Sequence, residues 1–94
     1  MSERASFHAT VHGRVQGVNF RFFVSENAEA LGLTGYVKNL SEGRALEVYA
    51  EGDKDKLERL LDLIRVGSSR AKVERVDVEW SQYRKTHSRF MAIY

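Results

Sequence analysis

The chain has 94 residues, of which 43% are hydrophobic and 30% are charged, and its formal net charge is +2. This length and composition are typical of one globular domain with its own core, so residues 1–94 are predicted to form a single domain. The absence of cysteine excludes disulfides and thiolate metal sites. The N-terminus has no apolar signal segment and no apolar run is long enough to span a membrane, so the cytoplasm is the expected location.

The charge balance argues against a nucleic-acid partner. Fifteen basic residues are matched by thirteen acidic ones, which leaves a small excess for binding a phosphate backbone. The basic residues of the second half fit solvated loops and strand faces better than a binding stripe. They are Arg70, Lys72, Arg75, Arg84, Lys85 and Arg89.

The first two predicted elements are a strand and a helix. Apolar Phe7, Ala9 and Val11 alternate with polar residues, which is the pattern of a half-buried strand. From Phe20 onward the apolar residues recur at helical spacing, and Gly32 supplies a stop signal. A helix is therefore predicted between Phe20 and Gly32.

Two strands, a second helix and two further strands follow. Alternation predicts strands at residues 36–40 and 46–51, joined by a turn at 41–43. Asp53 is placed to cap a helix that Gly67 closes. The pattern returns to alternation at residues 76–80, and a short last strand is predicted at 89–94.

This order of elements predicts an α+β fold, a ferredoxin-like α/β sandwich. Two helices would cover one face of a four- to five-stranded, mostly antiparallel sheet with the order β-α-β-β-α-β plus a short terminal strand. Such a fold hosts many functions, so the activity has to be argued from particular residues.

The segment GRVQGVNFR at residues 13–21 has the features of a phosphate-binding loop. Its two glycines allow positive φ and close approach of a ligand, and backbone amides at a helix start can converge on one anion. Arg21 would add a planar fork of donors that matches phosphate oxygens. The spacing lacks the lysine and hydroxyl residue of a Walker motif, so nucleotide binding of that type is not indicated.

A second chemical feature is the segment GYVKN at residues 35–39, which ends at Asn39 where a strand enters its hairpin. An asparagine in that place usually serves the turn. In a ferredoxin-like sheet, however, the end of the second strand can lie beside the start of the first helix. The amide of Asn39 could then hold a water that faces a phosphate bound by the loop.

Together these two segments resemble the signatures of the acylphosphatase family, and the resemblance covers nearly the whole chain. It implies hydrolysis of a small-molecule acyl phosphate to a carboxylate and inorganic phosphate, which would also be a competitive inhibitor. It implies that Arg21 binds the phosphate, that Asn39 positions the water, and that no cofactor or metal takes part. The implied backbone cradle consists of Val15, Gln16, Gly17, Val18 and Asn19. No nucleic-acid or membrane partner is expected, and the chain is expected to be a monomer.

The chain departs from the family pattern at residues 43–48, after Gly67, and at its C-terminal end, where Met91 and Ala92 follow Phe90 in place of the family's Phe-x-Ile ending. The segment at residues 43–48 is one residue longer than the family usually has, which predicts a bulge or a longer hairpin before the third strand. Ser68 follows Gly67 where the family commonly has proline, and the chain contains no proline at all.

The chemistry of an acyl phosphate suits this short list of residues. Its leaving group is a carboxylate, which departs without a proton, and the transition state for phosphoryl transfer is loose. Positioning and electrostatic stabilisation by an amide loop, one arginine and one asparagine are then sufficient. A phosphate monoester has an alkoxide leaving group that is far harder to expel, so these residues alone would be insufficient for its hydrolysis.

The histidines and aromatic residues favour structural roles. His8 and His12 are interpreted as an exposed pair on a strand face, and His87 as a solvated turn residue. Phe20 and Phe23 fall on the buried helix stripe, whereas the pattern does not decide the place of Phe22.

Two alternatives remain open. One is a ferredoxin-like nucleic-acid-binding module, for which Tyr49 is the one good candidate for stacking on the open sheet face. The other is a domain that senses phosphate or carbamoyl phosphate without turnover.

Overall fold

The computed structural model describes residues 3–17, 19–40 and 43–93. They form seven elements in the predicted order. These are β1 (Arg4–Arg14), α1 (Phe20–Ala30), β2 (Thr34–Asn39), β3 (Ala45–Asp53), α2 (Lys54–Val66), β4 (Lys72–Gln82) and β5 (Phe90–Ile93). The fold is the ferredoxin-like sandwich that the periodicity predicts, with all five strands in one sheet.

The sheet has the strand order β4-β1-β3-β2-β5. β3 is antiparallel to both β1 and β2, and β5 is parallel to β2. β1, β2 and β5 therefore point the same way, and their C-terminal ends lie at one end of the sheet. The segment between β1 and α1 also begins at that end, which places it beside Asn39.

The core lies between the two helices and one face of the sheet. Phe7, Ala9 and Val11 of β1 are fully buried, as their alternation predicts. From α1, Phe20, Val24 and Ala28 are buried in the same cluster, and from α2 four aliphatic residues join them: Leu57, Leu60, Leu61 and Ile64. The prediction for Phe20 is confirmed, and Phe23 packs against the core while partly exposed. Phe22, which the sequence left undecided, is 64% exposed.

Asp53 takes the predicted N-cap position of α2 but does not cap the helix through its side chain. Its carboxylate instead lies 3.8 Å from the guanidinium of Arg4 on β1. At the other end of the helix, Gly67 has φ of 79°, which closes the helix as predicted.

The register between β2 and β3 is continuous from Thr34↔Glu51 to Asn39↔Leu46, and Leu40 N–H then donates to the Ala45 carbonyl. The extra residue of this region is therefore accommodated in the hairpin loop, and the alternative prediction of a bulge there is wrong. A register shift does occur between β1 and β4, at His12 and Gly13. Ser41 and Glu42 of the predicted turn lie outside the described residues.

The sheet face opposite the helices carries a polar and aromatic cluster. The rings of Tyr36 and Tyr49 stack with centroids 5.9 Å apart, and the His87 ring lies within 5.8 Å of both. The prediction that Tyr49 is the one aromatic candidate on this face is wrong, because Tyr36 of β2 pairs with it. His87, which was predicted to be solvated, is partly exposed and also packs against both rings, because the 83–89 connection crosses the sheet from β4 to β5. Within the described residues no helix is long and apolar enough to cross a membrane.

Candidate active site

The loop between β1 and α1 has a backbone shaped for an anion. Gly17 has φ of 74°, and Asn19, which precedes the first helical residue, also lies in the left-handed region with φ of 60°. The amides of Gln16, Gly17 and Asn19 donate to no backbone carbonyl of the described residues. Unpaired amides at a helix N-terminus form a site for negative charge. Val18 of the predicted cradle lies outside the described residues.

The side chain of Gln16 joins this loop to the β2–β3 hairpin. Its Nε2 donates to the carbonyl oxygens of Leu40 and Ala45, each at 2.9 Å. The sequence predicted that the Gln16 backbone helps to bind phosphate, but it did not predict this contact of the side chain. The partners are 24 and 29 residues away along the chain, so no local pattern indicates the contact.

Arg21 occupies the second position of α1 and faces the end of β5. Its Nη1 donates to the carbonyl oxygen of Ile93 at 2.9 Å. This contact orients the guanidinium, whose side chain also lines a cavity at the N-terminus of α1. A guanidinium held in one orientation can present its fork of donors to a phosphate.

Asn39 lines the same cavity, which has a volume of about 310 Å³. Gly35, Val37 and Asn39 alternate onto the sheet face that the helices cover, so the Asn39 side chain meets the start of α1. Its Oδ1 is buried and has no hydrogen-bond partner among the described residues. Because a buried carbonyl oxygen without a partner is costly, a water or ligand in the cavity would be held there.

The structure brings together five of the seven residues that the sequence selected, whereas Gln16 does not line the cavity and Val18 lies outside the described residues. Val15, Gly17, Asn19, Arg21 and Asn39 line one cavity, joined by Phe20, Phe22 and Ala92. Arg21 and Asn39 come from a helix start and a strand end, which the sheet order places side by side. The sequence did not predict a place in the site for Phe20, Phe22 or Ala92, and the position of Ala92 depends on the pairing of β5 with β2.

A family model described as Acylphosphatase matches residues 7–92 of the chain. The chain belongs to the acylphosphatase family. It is 50% identical over 82 residues to an acylphosphatase of Dehalococcoides mccartyi (strain CBDB1), covering 87% of this chain and 90% of that protein. It is 51% identical over 74 residues to an acylphosphatase of Deinococcus radiodurans, covering 79% of this chain and 84% of that protein. The crystal structure of acylphosphatase from Bacillus subtilis superposes with a TM-score of 0.91 at 37% identity, covering 96% of this chain and 99% of the other.

As a member of the acylphosphatase family, the chain is an enzyme that hydrolyses acyl phosphates. Its partners are therefore a small-molecule acyl phosphate and phosphate. Across residues 3–17, 19–40 and 43–93, no three imidazole or carboxylate groups lie close enough together to hold a metal ion.

The titratable groups with shifted pKa values lie on the open sheet face, away from this cavity. Burial raises the pKa of the Glu47 carboxyl, but hydrogen bonds from His8 and Tyr36 outweigh it, so the pKa lies below its usual value. Burial and the bond to Glu47 together raise the pKa of Tyr36 to about 12. His8 and His12 each contact a carboxylate, of Glu47 and Asp77, and do not face one another in a joint site.

Proposed function

We propose that this acylphosphatase works without a metal ion, with Arg21 and backbone amides binding the phosphate and Asn39 positioning the attacking water. The proposed cradle is formed by Val15, Gln16, Gly17, Val18 and Asn19. The observation that carries the proposal is the buried, unpartnered Oδ1 of Asn39 in the cavity that Arg21 also lines.

Charge stabilisation supports the role of the α1 N-terminus. The phosphoryl group carries its negative charge on three oxygens in the transition state. The amides of Gln16, Gly17 and Asn19, the positive end of the α1 dipole and the Arg21 guanidinium all favour that charge, whereas the Val15 amide donates to the Gly13 carbonyl. Their arrangement exists before substrate arrives, so little reorganisation is needed during the reaction.

The amide of Asn39 supports the role of water positioning. Oδ1 would accept one hydrogen bond from the water and thereby direct an oxygen lone pair at phosphorus. Because the carboxylate leaving group departs without a proton and the transition state is loose, the water needs little activation by a base. Among the described residues that line the cavity there is no histidine or carboxylate to act as one.

The first test is hydrolysis of benzoyl phosphate by the purified chain in excess chelator, beside the Arg21→Ala variant. We expect turnover that the chelator does not reduce and that the variant nearly loses, with a native far-UV circular dichroism spectrum. The exposed Arg59 of α2 gives a matched control, and Arg59→Ala should retain full activity. Dependence on added magnesium would contradict the metal-free mechanism, and an active Arg21→Ala variant would contradict the phosphate site.

The open sheet face argues against the nucleic-acid alternative, and the relatives named acylphosphatase favour turnover over phosphate sensing. Tyr36 and Tyr49, the aromatic pair on the open face, both donate to carboxylates, and those negative charges oppose a phosphate backbone. Three expectations remain predictions from the sequence. They are that the 94 residues act as one catalytic domain, that the protein is a monomer, and that it is located in the cytoplasm.

A further inference from the structure

A groove outside the catalytic cavity continues from the cradle toward the loop after α2. It has a volume of about 450 Å³ and shares Gly17, Asn19 and Phe22 with the catalytic cavity. Ser68, Ser69 and Arg70, which follow α2, also line it. The shared residues place the groove directly beside the catalytic cavity, so the acyl part of a substrate held at the cradle has the groove within reach.

The direction of the groove fits the leaving group of the reaction. In phosphoryl transfer the attacking and leaving oxygens lie roughly in line on opposite sides of phosphorus. Asn39, the proposed holder of the water, lines the catalytic cavity but does not line the groove. The groove therefore leaves the cradle on a side other than that of the attacking water, where the acyl group can lie.

Two side chains give the groove a chemical preference. Phe22 is 64% exposed at the junction of the two spaces, and an exposed aromatic ring there offers a face to an acyl group. Arg70 is exposed and forms no ion pair or hydrogen bond with any described residue. Glu26 also lines the groove, so its carboxylate partly offsets the positive charge.

We propose that this groove is an acyl-group subsite in which Arg70 favours acyl phosphates that carry a second negative group away from the phosphoanhydride. The inference rests on the proposed function, since it assumes that the phosphate occupies the cradle at Arg21. Phe22 contacts the body of the acyl group, and the guanidinium of Arg70 attracts the distal carboxylate or phosphate. Arg70 thereby determines specificity and takes no part in breaking the bond.

The test compares 4-carboxybenzoyl phosphate with 4-carbamoylbenzoyl phosphate, which has the same size but no distal charge. We measure kcat/KM for the carboxy compound divided by kcat/KM for the carbamoyl compound, in the wild type, Arg70→Gln and Arg65→Gln. Arg65 is the control, because it is exposed in the last turn of α2 and does not line the groove. The ratio should fall about 2- to 5-fold in Arg70→Gln, the range expected for an exposed ion pair, and stay unchanged in Arg65→Gln. The preference should also weaken as salt is added.

The outcomes separate this inference from the proposed function. An unchanged ratio in Arg70→Gln, with both compounds hydrolysed, would overturn the subsite and leave the catalytic proposal standing. The same fall in Arg65→Gln would show a general effect of net charge and would also overturn it. Failure of the wild type to hydrolyse either compound or benzoyl phosphate would instead contradict the proposed function. Phe22→Ala should raise KM for both compounds alike, and an unchanged KM would contradict the aromatic contact.

Discussion

Arg21 and Ile93 are joined by a hydrogen bond of 2.9 Å from the guanidinium Nη1 to the backbone carbonyl. Ile93 pairs in β5 with Lys38 of β2, the residue before Asn39. Arg21, the phosphate-binding candidate, is thus bonded to β5, and β5 pairs with β2 beside Asn39, the water-positioning candidate. The orientation of the Arg21 side chain therefore depends on β5, although Ile93 lies 72 residues later in the chain.

Replacing Arg21 with lysine should reduce kcat/KM for benzoyl phosphate by at least ~10²-fold, the usual cost of one transition-state donor. Lysine keeps the positive charge but loses the planar fork, so it cannot hold the Ile93 carbonyl and present two parallel donors to phosphate. Steady-state kinetics measure the loss. Full activity of Arg21→Lys would show that charge alone suffices and would contradict the proposed two-pronged contact.

Replacing Asn39 with alanine should lower kcat by at least ~10²-fold and leave the inhibition constant of inorganic phosphate nearly unchanged. The variant removes the Oδ1 that would hold the water, but it leaves the cradle amides and Arg21 in place. Competitive inhibition of benzoyl phosphate hydrolysis by phosphate measures both quantities. Asn27→Ala, a half-buried asparagine on α1, serves as the matched control and should keep kcat. Collapse of phosphate affinity in Asn39→Ala would contradict the positioning role.

Replacing Gln16 with glutamate should destabilise the fold and loosen the cradle. The glutamate side chain cannot donate to the carbonyl oxygens of Leu40 and Ala45, which Gln16 Nε2 bonds together. We expect the free energy of unfolding to fall by about 1–3 kcal/mol, as for two lost hydrogen bonds, together with a higher KM. Urea unfolding and kinetics measure the two effects.

Gln82 of β4 is exposed, and Gln82→Glu serves as the control for the Gln16 substitution. The control should change neither the free energy of unfolding nor KM by a measurable amount. Equal unfolding free energies for Gln16→Glu and the wild type would show that the side chain does not join the loop to the hairpin.

Most of the fold follows from local patterns, because the elements are strongly periodic. Alternation at Phe7, Ala9 and Val11 and the helical stripe from Phe20 each predict an element and its buried face. The phosphate-binding candidates were selected in the same way, since glycines and an arginine at a helix start have a direct physical use, and their roles stay predictions. The strand order then accounts for the meeting of Arg21 and Asn39, which the ferredoxin-like topology implies.

The features that the sequence did not predict depend on contacts between distant segments. His87 packs against two tyrosines because the connection from β4 to β5 must cross the sheet to reach the far edge. The Gln16 bonds to the hairpin and the place of Ala92 depend in the same way on the assembled sheet. Glu51 is the clearest case, since a carboxylate in an alternating strand is normally expected to face solvent.

Glu51 is 1% exposed and fixes the 83–89 connection to β3. Its carboxylate accepts hydrogen bonds from Tyr49 Oη at 3.0 Å and from the backbone amides of Thr86 and His87 at 2.7 and 3.0 Å. Burial raises the pKa of this carboxyl, but these hydrogen bonds outweigh it, so the pKa lies below its ordinary value of 4.5. A lowered pKa in the folded state means that the charged form stabilises the fold.

The stabilisation by Glu51 should be fully present above the unfolded pKa and be lost as the pH falls through the folded pKa. We therefore expect the free energy of unfolding to decrease as the pH falls below the ordinary value of 4.5 toward the lowered pKa of Glu51, and to depend less on pH in Glu51→Gln. The variant should be less stable than the wild type at the higher pH and approach it at the lower one. Urea unfolding at several pH values measures this, with the exposed Glu58→Gln as control. If Glu51→Gln kept the pH dependence of the wild type, the acid sensitivity would belong to other carboxylates, and Glu51 would hold the crossing connection equally well when protonated.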